Sequence, residues 1–145
     1  DQMVFYKDLR QNMYTCTNCE AHLKMPLKDR FINLYDEGKY EEIEVLPVLE
    51  DPLVFRDKIK YSERLKEARK KTSLKDAILV VKGKVNNFKL VTAAMDFSFM
   101  GGSMGMQVGE GIVEAAKIAK ETKSSLLIIS SSGGAALPCF RLGYH

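Results

Sequence analysis

Two clusters of glycine follow two apolar segments in the second half of the chain. Gly101, Gly102 and Gly105 come after the apolar run at residues 90–97, and Gly133 and Gly134 come after the run at residues 125–130. Glycine turns at the same ends of neighbouring parallel strands form pockets lined by backbone N–H groups. Donors of this kind stabilise an oxygen on which negative charge develops during a reaction. The spacing therefore indicates a candidate oxyanion-binding site.

The residues between the two glycine clusters predict the elements that hold the turns. Residues 90–97 and 125–130 are predicted strands, and the second is a continuous apolar run typical of a strand covered on both faces. A helix is predicted between them, because apolar residues recur at helical spacing. The predicted buried stripe is Val108, Ile112, Ala115, Ala116 and Ala119.

A second constellation, Cys16 and Cys19 in a Cys-x-x-Cys pattern, predicts a metal-binding knuckle. Two thiolates on one tight turn supply half of a tetrahedral zinc site, and His22 is the one nearby candidate for a third ligand. The alternative is a redox pair, which no surrounding thioredoxin-like pattern supports. Cys139 makes the count odd, which favours metal binding in a reducing cytosol over a disulfide framework.

Other segments have weaker patterns, which predict elements covering or extending the sheet. Residues 86–87 are both asparagine, and asparagine tolerates positive φ, so a tight hairpin is expected there. The predicted strands cover residues 1–6 (pairing with 14–15), 40–46, 76–85 and 88–97, and the predicted helices cover residues 26–35 and 60–71.

Charge is unevenly distributed along a chain whose net charge is only +3. Residues 56–75 contain nine Lys or Arg against three acids. Such a segment is most often a solvated helix face. The functional alternative is attraction of a polyanion, either the phosphates of coenzyme A or a nucleic acid. No apolar run is long enough for a membrane span, so we expect a cytoplasmic protein with no membrane partner.

Hydrolase chemistry is disfavoured by the residues present. The sequence has no Gly-x-Ser-x-Gly elbow, and its two histidines, His22 and His145, lie outside the core pattern. Asp96 and Glu110 flank the first glycine cluster and could act as acid or base. We expect instead that Asp96 bonds to the turn and that Glu110 lies on a solvated helix face.

Four ordered segments resemble one known family. These are residues 14–25 with the Cys-x-x-Cys, residues 51–72, the FMGGSMG of residues 99–105 and the SSSGGA of residues 130–135. Together they are similar to the carboxyltransferase β subunits of bacterial and plastid acetyl-CoA carboxylase, members of the crotonase-like superfamily. The resemblance implies an α/β fold with an incomplete crotonase-like (ClpP/crotonase) ββα core, preceded by a partial zinc ribbon.

The resemblance also implies a domain organisation, with the chain truncated at both ends relative to the family. Residues 1–25 would form the partial ribbon, with the family's upstream cysteine pair missing, and residues 26–75 a helical and extended cover. Residues 76–135 would form the first part of the carboxyltransferase domain. Residues 136–145 depart from the family's pattern.

The activity implied by the resemblance is transfer of a carboxyl group from carboxybiotin, borne on a carrier protein, to acetyl-CoA. The product would be malonyl-CoA for fatty acid synthesis. Implied partners are the carboxyltransferase α subunit in an α2β2 assembly, the biotin carboxyl carrier protein and biotin carboxylase. This chain alone is expected to be inactive. Two alternatives stay open: a zinc-ribbon nucleic-acid-binding module, and an enzyme of the propionyl-CoA type.

Site roles follow from the resemblance residue by residue. Gly133 and Gly134 would donate their N–H groups to the thioester oxygen of the substrate. Cys16 and Cys19 would bind a structural zinc ion as a half-site. The pocket for acetyl-CoA would be shaped by Gly101, Gly102, Ser103 and Gly105.

Overall fold

A computed structural model describes residues 3–51, 54, 56 and 58–134. Two helices and a short 3-10 turn at Asp36–Gly38 precede the first strand, and a helix precedes the second strand and the fourth. The helices are α1 (Tyr6–Gln11), α2 (Leu27–Leu34), α3 (Tyr61–Thr72) and α4 (Met106–Glu121). The strands are β1 (Tyr40–Ile43), β2 (Ile78–Val85), β3 (Phe88–Met95) and β4 (Ser125–Ile129).

One mixed sheet of four strands, in the order β1-β2-β3-β4, carries the fold. The pairs β1–β2 and β2–β3 are antiparallel, whereas β4 lies parallel to β3. Asn86 and Asn87 have φ values of 49° and 66° and connect β2 to β3 as the predicted tight hairpin. Their N–H groups donate to the Asp36 carboxylate at 2.8 and 2.9 Å, which fixes the hairpin to the 3-10 turn.

Helix α4 crosses from β3 to β4 and packs its small residues on the sheet. The predicted stripe is correct at Val108, Ala115 and Ala119, which are buried, but wrong at Ala116, which is exposed. Gly111 is buried instead. It packs so closely on the sheet that a Cβ there would lie 3.0 Å from the Ile78 side chain. A larger residue at position 111 would therefore require the Ile78 side chain on β2 to move.

Helix α2 covers a second part of the sheet through aromatic side chains. Phe31 is fully buried, and Tyr35 packs with Val81 and Ala94. The Tyr35 hydroxyl donates to Thr92 Oγ1 at 2.7 Å, and Thr92 is itself fully buried. Burying both groups is tolerated because each supplies the other with a hydrogen-bond partner.

The basic segment is mostly helix α3. Leu65 and Ala68 are buried in the core, while Lys66, Lys70 and Lys71 are exposed. The amphipathic arrangement explains why so charged a sequence still forms an ordered helix.

Three further sequence predictions are wrong. The strand expected over residues 1–6 is absent in residues 3–5, and α1 begins at Tyr6, where Asp8 near its start and Arg10 near its end favour a helix. Thr15 therefore pairs with His22 rather than with that strand. The prediction that the last strand is covered on both faces is also wrong. Leu126 is 39% and Ile128 47% exposed, because β4 lies at an edge of the described sheet.

Other predicted elements are present with small differences in their bounds, the largest being β1, which ends at Ile43 rather than at residue 46. β1 belongs to the sheet rather than to a separate cover. Residues 136–145, with Cys139 and His145, lie outside the described residues. Among the helices of the described chain, none has the length and apolar character needed to cross a membrane.

Candidate active site

The first glycine turn begins where β3 ends. The Asp96 N–H donates to the Ala77 carbonyl oxygen at 2.9 Å, and the Ser98 N–H and hydroxyl donate to Asp96 Oδ1 at 2.8 and 2.6 Å. Phe99, which is 2% exposed, anchors the turn in the core. Asp96 thus bonds to the turn as predicted. Glu110 lies on the partly solvated face of α4, its carboxylate 3.9 Å from the Lys117 ammonium.

Left-handed backbone at three consecutive residues turns the chain sharply after Phe99. Met100, Gly101 and Gly102 have φ values of 48°, 69° and 65°. A Cβ at Gly102 would lie 1.9 Å from the Ser131 carbonyl oxygen, whereas a Cβ at Gly101 would meet no heavy atom within 4 Å. Gly102 is therefore required both for its conformation and for the close approach of the second turn.

The second glycine turn follows β4 and is bonded directly to the first. The Gly133 N–H donates to the Gly101 carbonyl oxygen at 2.9 Å. The Met104 N–H donates to the Gly134 carbonyl oxygen at 3.2 Å. The predicted meeting of two glycine turns at one end of the parallel pair β3–β4 is therefore observed.

The N–H groups of Gly133 and Gly134 already have partners within the chain. Gly133 bonds to Gly101, and the Gly134 N–H donates to the Ser132 hydroxyl at 3.0 Å. This hydroxyl is exposed and also donates to the Gly134 carbonyl oxygen at 2.9 Å. A ligand at this turn must replace these bonds or share them.

Ser103 and Gly105 lie on the segment between the turns and α4. Gly105 precedes the first residue of α4 in extended conformation, with φ −98° and ψ −178°, and no side chain caps the helix. Gly105 also lines a cavity of about 640 Å³ between residues 42–51, α3 and the sheet. Gly101, Gly102, Gly133 and Gly134 do not contribute to the described lining of this cavity.

That cavity is mainly apolar with charged groups at its margin. Arg69 forms an ion pair with Glu50, and Asp76 lies beside them. Burial raises the pKa of Asp76, while the N–H of Ala77 and the charge of Arg69 act in the opposite direction.

The cysteine knuckle forms a tight turn with backbone bonds on both sides. The Cys16 N–H donates to the Ala21 carbonyl oxygen, and the Glu20 N–H donates to the Cys16 carbonyl oxygen, both at 2.9 Å. Backbone hydrogen bonds from Asn18 and Cys19 lower the pKa of the Cys16 thiol. This arrangement suits a thiolate ligand.

Further zinc ligands are not found among the described residues. No group of three or more His, Cys, Asp or Glu side chains is close enough there to hold a metal ion. His22, the candidate third ligand, has its Nδ1 atom 3.3 Å from the Thr15 hydroxyl. The knuckle therefore fits zinc as two ligands of the four that a structural site needs.

A polar cluster that the sequence did not reveal attaches the knuckle segment to α2. The Tyr14 hydroxyl donates to Asp29, whose other carboxylate oxygen accepts from Arg10 at 2.7 Å. The Tyr6 and Tyr14 hydroxyls are 2.7 Å apart. Burial, and next the bond to Asp29, raise the pKa of Tyr14. No spacing rule could predict this cluster, because its members belong to three separate segments.

A second contact that sequence patterns missed joins the knuckle segment to the glycine turns. The Lys24 ammonium lies 4.0 Å from the centre of the Phe97 ring. That ring is beside the second turn, since Phe97 Cε2 lies 3.7 Å from the position of a Cβ on Gly133. The only signal in the sequence was the place of Phe97 as the last residue of a predicted strand.

Comparison with known proteins adds to this geometry. Residues 34–143 match the family described as the carboxyl transferase domain. The chain belongs to the carboxyl transferase domain family. This assignment covers every element of the sheet and both glycine turns.

Curated relatives carry one name. The chain is 46% identical over 135 residues to the acetyl-coenzyme A carboxylase carboxyl transferase subunit beta of Jannaschia sp. (strain CCS1), covering 93% of this chain and 42% of that one. It is 47% identical over 136 residues to the subunit of the same name from Granulibacter bethesdensis, covering 94% and 44%. The chain thus spans less than half the length of these relatives.

Two solved structures share the fold. Transcarboxylase 12S matches with a TM-score of 0.60 at 22% identity, over 80% of this chain and 20% of that one. The MdcD–MdcE heterodimer of Pseudomonas malonate decarboxylase matches with a TM-score of 0.54 at 22% identity, over 79% and 40%. These likenesses confirm the predicted α/β, crotonase-like core; the zinc-ribbon part of the prediction stays a prediction.

Proposed function

We propose that this chain acts as the β-type carboxyltransferase of an acetyl-CoA carboxylase, holding acetyl-CoA while its methyl carbon receives a carboxyl group. The product would be malonyl-CoA for fatty acid synthesis. The observation that carries the proposal is the bond from Gly133 to Gly101, which joins two glycine turns at the ends of β3 and β4. It occurs in a chain whose curated relatives are named for this reaction.

In this proposal Gly133 and Gly134 supply backbone donors to the thioester oxygen. The Gly134 N–H is the more readily released, because its partner is the side-chain hydroxyl of the exposed Ser132, which can rotate away. The Gly133 N–H is bonded to a backbone oxygen and would serve the ligand as a shared donor. A preorganised donor of this kind lowers the barrier by about 3–4 kcal/mol.

The substrate pocket is assigned to the first turn and the segment after it. Gly101 has no heavy atom within 4 Å of a Cβ position, which leaves room for a ligand beside the turn. Gly102, Ser103 and Gly105 continue this segment into α4. We assign all four residues to acetyl-CoA binding.

Proton removal from the acetyl group does not require a protein base here. Carboxybiotin, when bound, would supply the carboxyl group and, at the ureido nitrogen from which that group leaves, an acceptor for the methyl proton. Asp96 near the first turn is committed to hydrogen bonds with Ser98. The chain's own contribution is therefore to orient the thioester and stabilise its oxygen.

The remaining assignments concern partners and metal. We propose that an α subunit completes the pocket in an α2β2 assembly, that the biotin carboxyl carrier protein and biotin carboxylase supply the carboxyl group, and that the complex is cytoplasmic. Cys16 and Cys19 would supply only two of the four ligands of a structural zinc ion, so the knuckle of this chain would be a half-site. Zinc there would hold the knuckle turn and take no part in the transfer.

The test is a malonyl-CoA assay with carboxylated biotin carrier as donor. The α2β2 assembly containing this chain should form malonyl-CoA, whereas the chain alone should not. Acetyl-CoA should be preferred over propionyl-CoA in the same assay. The proposal is wrong if the assembly binds acetyl-CoA but transfers no carboxyl group, or if the chain alone turns over at the rate of the assembly.

A further inference from the structure

The knuckle segment places a lysine beside the glycine turns. Lys24 is exposed, and its segment is fixed on both sides, by the Leu23 N–H bonding to the Tyr14 carbonyl oxygen at 2.8 Å and by the buried Leu27. Its ammonium lies 4.0 Å from the centre of the Phe97 ring. An ammonium over an aromatic face is attracted to it and is held in place without losing its charge.

The charge of Lys24 is available to a ligand. Among the described residues no carboxylate forms an ion pair with it. Phe97 is 39% exposed, so the lysine and the ring together face solvent. An exposed cation without a paired carboxylate attracts an anion.

The position of the Phe97 ring indicates which anion would lie near Lys24. Phe97 contacts the second turn, since its Cε2 and Cζ atoms lie 3.7 and 4.0 Å from a Cβ position on Gly133. The ammonium is therefore about one aromatic ring away from the turn that is proposed to hold the thioester. The phosphates of coenzyme A lie at the far end of the pantetheine arm, whereas the carboxylate of a malonyl group is only two bonds from the thioester carbon.

We propose that Lys24, seated on Phe97, binds the carboxylate at the acyl end of malonyl-CoA and so positions the carboxyl group at the glycine turns. This inference rests on the proposed function and adds a specificity residue to it. Lys24 forms no covalent bond and moves no proton. Its contribution is electrostatic attraction to the carboxylate of the product, and of the same carboxylate entering in the reverse reaction.

Two thioesters that differ only in the carboxylate provide the test. Binding of malonyl-CoA and acetyl-CoA to the α2β2 assembly is measured by calorimetry for the wild type, Lys24→Met, Lys24→Arg and Lys89→Met. Lys89 is an exposed lysine at the opposite end of β3, so Lys89→Met controls for loss of a surface charge.

Lys24→Met should weaken malonyl-CoA binding about fivefold and leave acetyl-CoA binding within about twofold of the wild type. Lys24→Arg should restore the affinity, and Lys89→Met should change neither. Phe97→Leu should weaken malonyl-CoA binding by a smaller factor, because the Lys24 ammonium loses its contact with the aromatic ring. The loss in Lys24→Met should shrink as salt is added.

Each other outcome is decisive. Equal weakening of both thioesters would assign Lys24 to the phosphates and overturn the inference, as would no weakening of either. In those cases a wild-type assembly that still forms malonyl-CoA leaves the proposed function standing. A wild-type assembly that binds neither thioester overturns the proposed function and this inference together.

Discussion

The paired glycine turns and the cysteine knuckle are both short motifs. In the described residues, only the glycine turns have their partner positioned beside them. The turns follow two parallel strands of one sheet, and the bond from Gly133 to Gly101 joins them. The knuckle offers Cys16 and Cys19 on a surface turn, with no further metal ligands gathered around them in the described residues. A motif built on a buried sheet has its partner positioned by the core, whereas a motif on a surface segment depends on residues elsewhere.

The contrast extends to what anchors each region. Phe99 is buried under the first turn, and Thr92 on β3 is fully buried in contact with Tyr35. The knuckle segment is held by the hydroxyl of Tyr14 bonded to Asp29. Changes at the turns should therefore cost much more than changes at the knuckle, and five predictions follow, from the largest effect to the smallest.

The largest effect is expected where the two turns touch. Gly102→Ala places a methyl group against the Ser131 carbonyl oxygen, at a backbone φ of +65° that alanine disfavours. We expect a loss of about 4 kcal/mol in the free energy of unfolding, from the left-handed conformation and the overpacking together. Carboxyl transfer by the assembly should fall at least about a hundredfold, because the donors move. Urea unfolding measures the loss of stability, and the malonyl-CoA assay measures the loss of carboxyl transfer.

Gly101→Ala is the matched control. Its φ of +69° is almost the same, but no heavy atom lies within 4 Å of the added Cβ. The loss should be about 1–2 kcal/mol, which is the conformational cost alone. Equal losses for the two variants would contradict the claim that contact between the turns, rather than backbone conformation, requires glycine at position 102.

A smaller effect is expected beneath β3. Tyr35→Phe removes the donor to the Thr92 hydroxyl, which is fully buried. We expect a loss of about 1–2 kcal/mol, the usual cost of leaving a buried polar group unpaired. Tyr40→Phe is the control, since within the described residues the Tyr40 hydroxyl has no hydrogen bond comparable to that of Tyr35. A loss as large for Tyr40→Phe would show that the Thr92 bond is not the cause.

A pH-dependent effect is expected at the margin of the cavity. Burial raises the pKa of Asp76 above that of an unfolded chain, so protonation favours the fold. The contribution of Asp76 is present below its unfolded pKa and is lost as pH rises through its folded pKa. The free energy of unfolding of the wild type minus that of Asp76→Asn should therefore fall as pH is raised from about 4.

Glu44 should behave in the opposite way. Its hydrogen bond to Lys75, and next the charge of that lysine, lower the pKa of Glu44. Its contribution is therefore present above the unfolded pKa and lost as pH falls through the folded one. The same measurement with Glu44→Gln should show a difference that rises with pH. If both stability differences changed with pH in the same direction, the assigned causes would be wrong.

The smallest effect is expected at the knuckle. Replacing both Cys16 and Cys19 by serine in this chain should change the free energy of unfolding of the core by no more than about 0.5 kcal/mol, because the knuckle is a surface turn. A chelator should have no larger effect. Stoichiometric zinc in the purified chain, with a loss of several kcal/mol on its removal, would contradict the assignment of the knuckle as a half-site.

Sequence patterns predicted the core well because periodicity and turn chemistry are local. Asn86 and Asn87 form the expected hairpin, and the two glycine clusters meet at the ends of parallel strands as expected. The stripe on α4 was wrong at Ala116, because Gly111 allows the helix to rotate its smallest residue toward Ile78. Spacing alone does not show which of two small residues faces the sheet.

The candidate site was only partly predictable. The glycine pattern indicated backbone donors, but not that Ser132 would occupy the Gly134 N–H. The contact between Lys24 and Phe97 joins residues far apart in the sequence, so no local pattern could reveal it. Long-range contacts of this kind depend on how the knuckle segment packs on the core, which the sequence alone did not predict.

The central claim is that the second glycine turn holds the thioester of acetyl-CoA. The most direct test is amide NMR of the assembly with this chain labelled with 15N-glycine, since the chain contains only ten glycines. Addition of acetyl-CoA should shift the Gly133 and Gly134 amide signals strongly and leave Gly38 and Gly83, at the far end of the sheet, unchanged. Saturating acetyl-CoA that leaves the signals of Gly133 and Gly134 in place would contradict the claim.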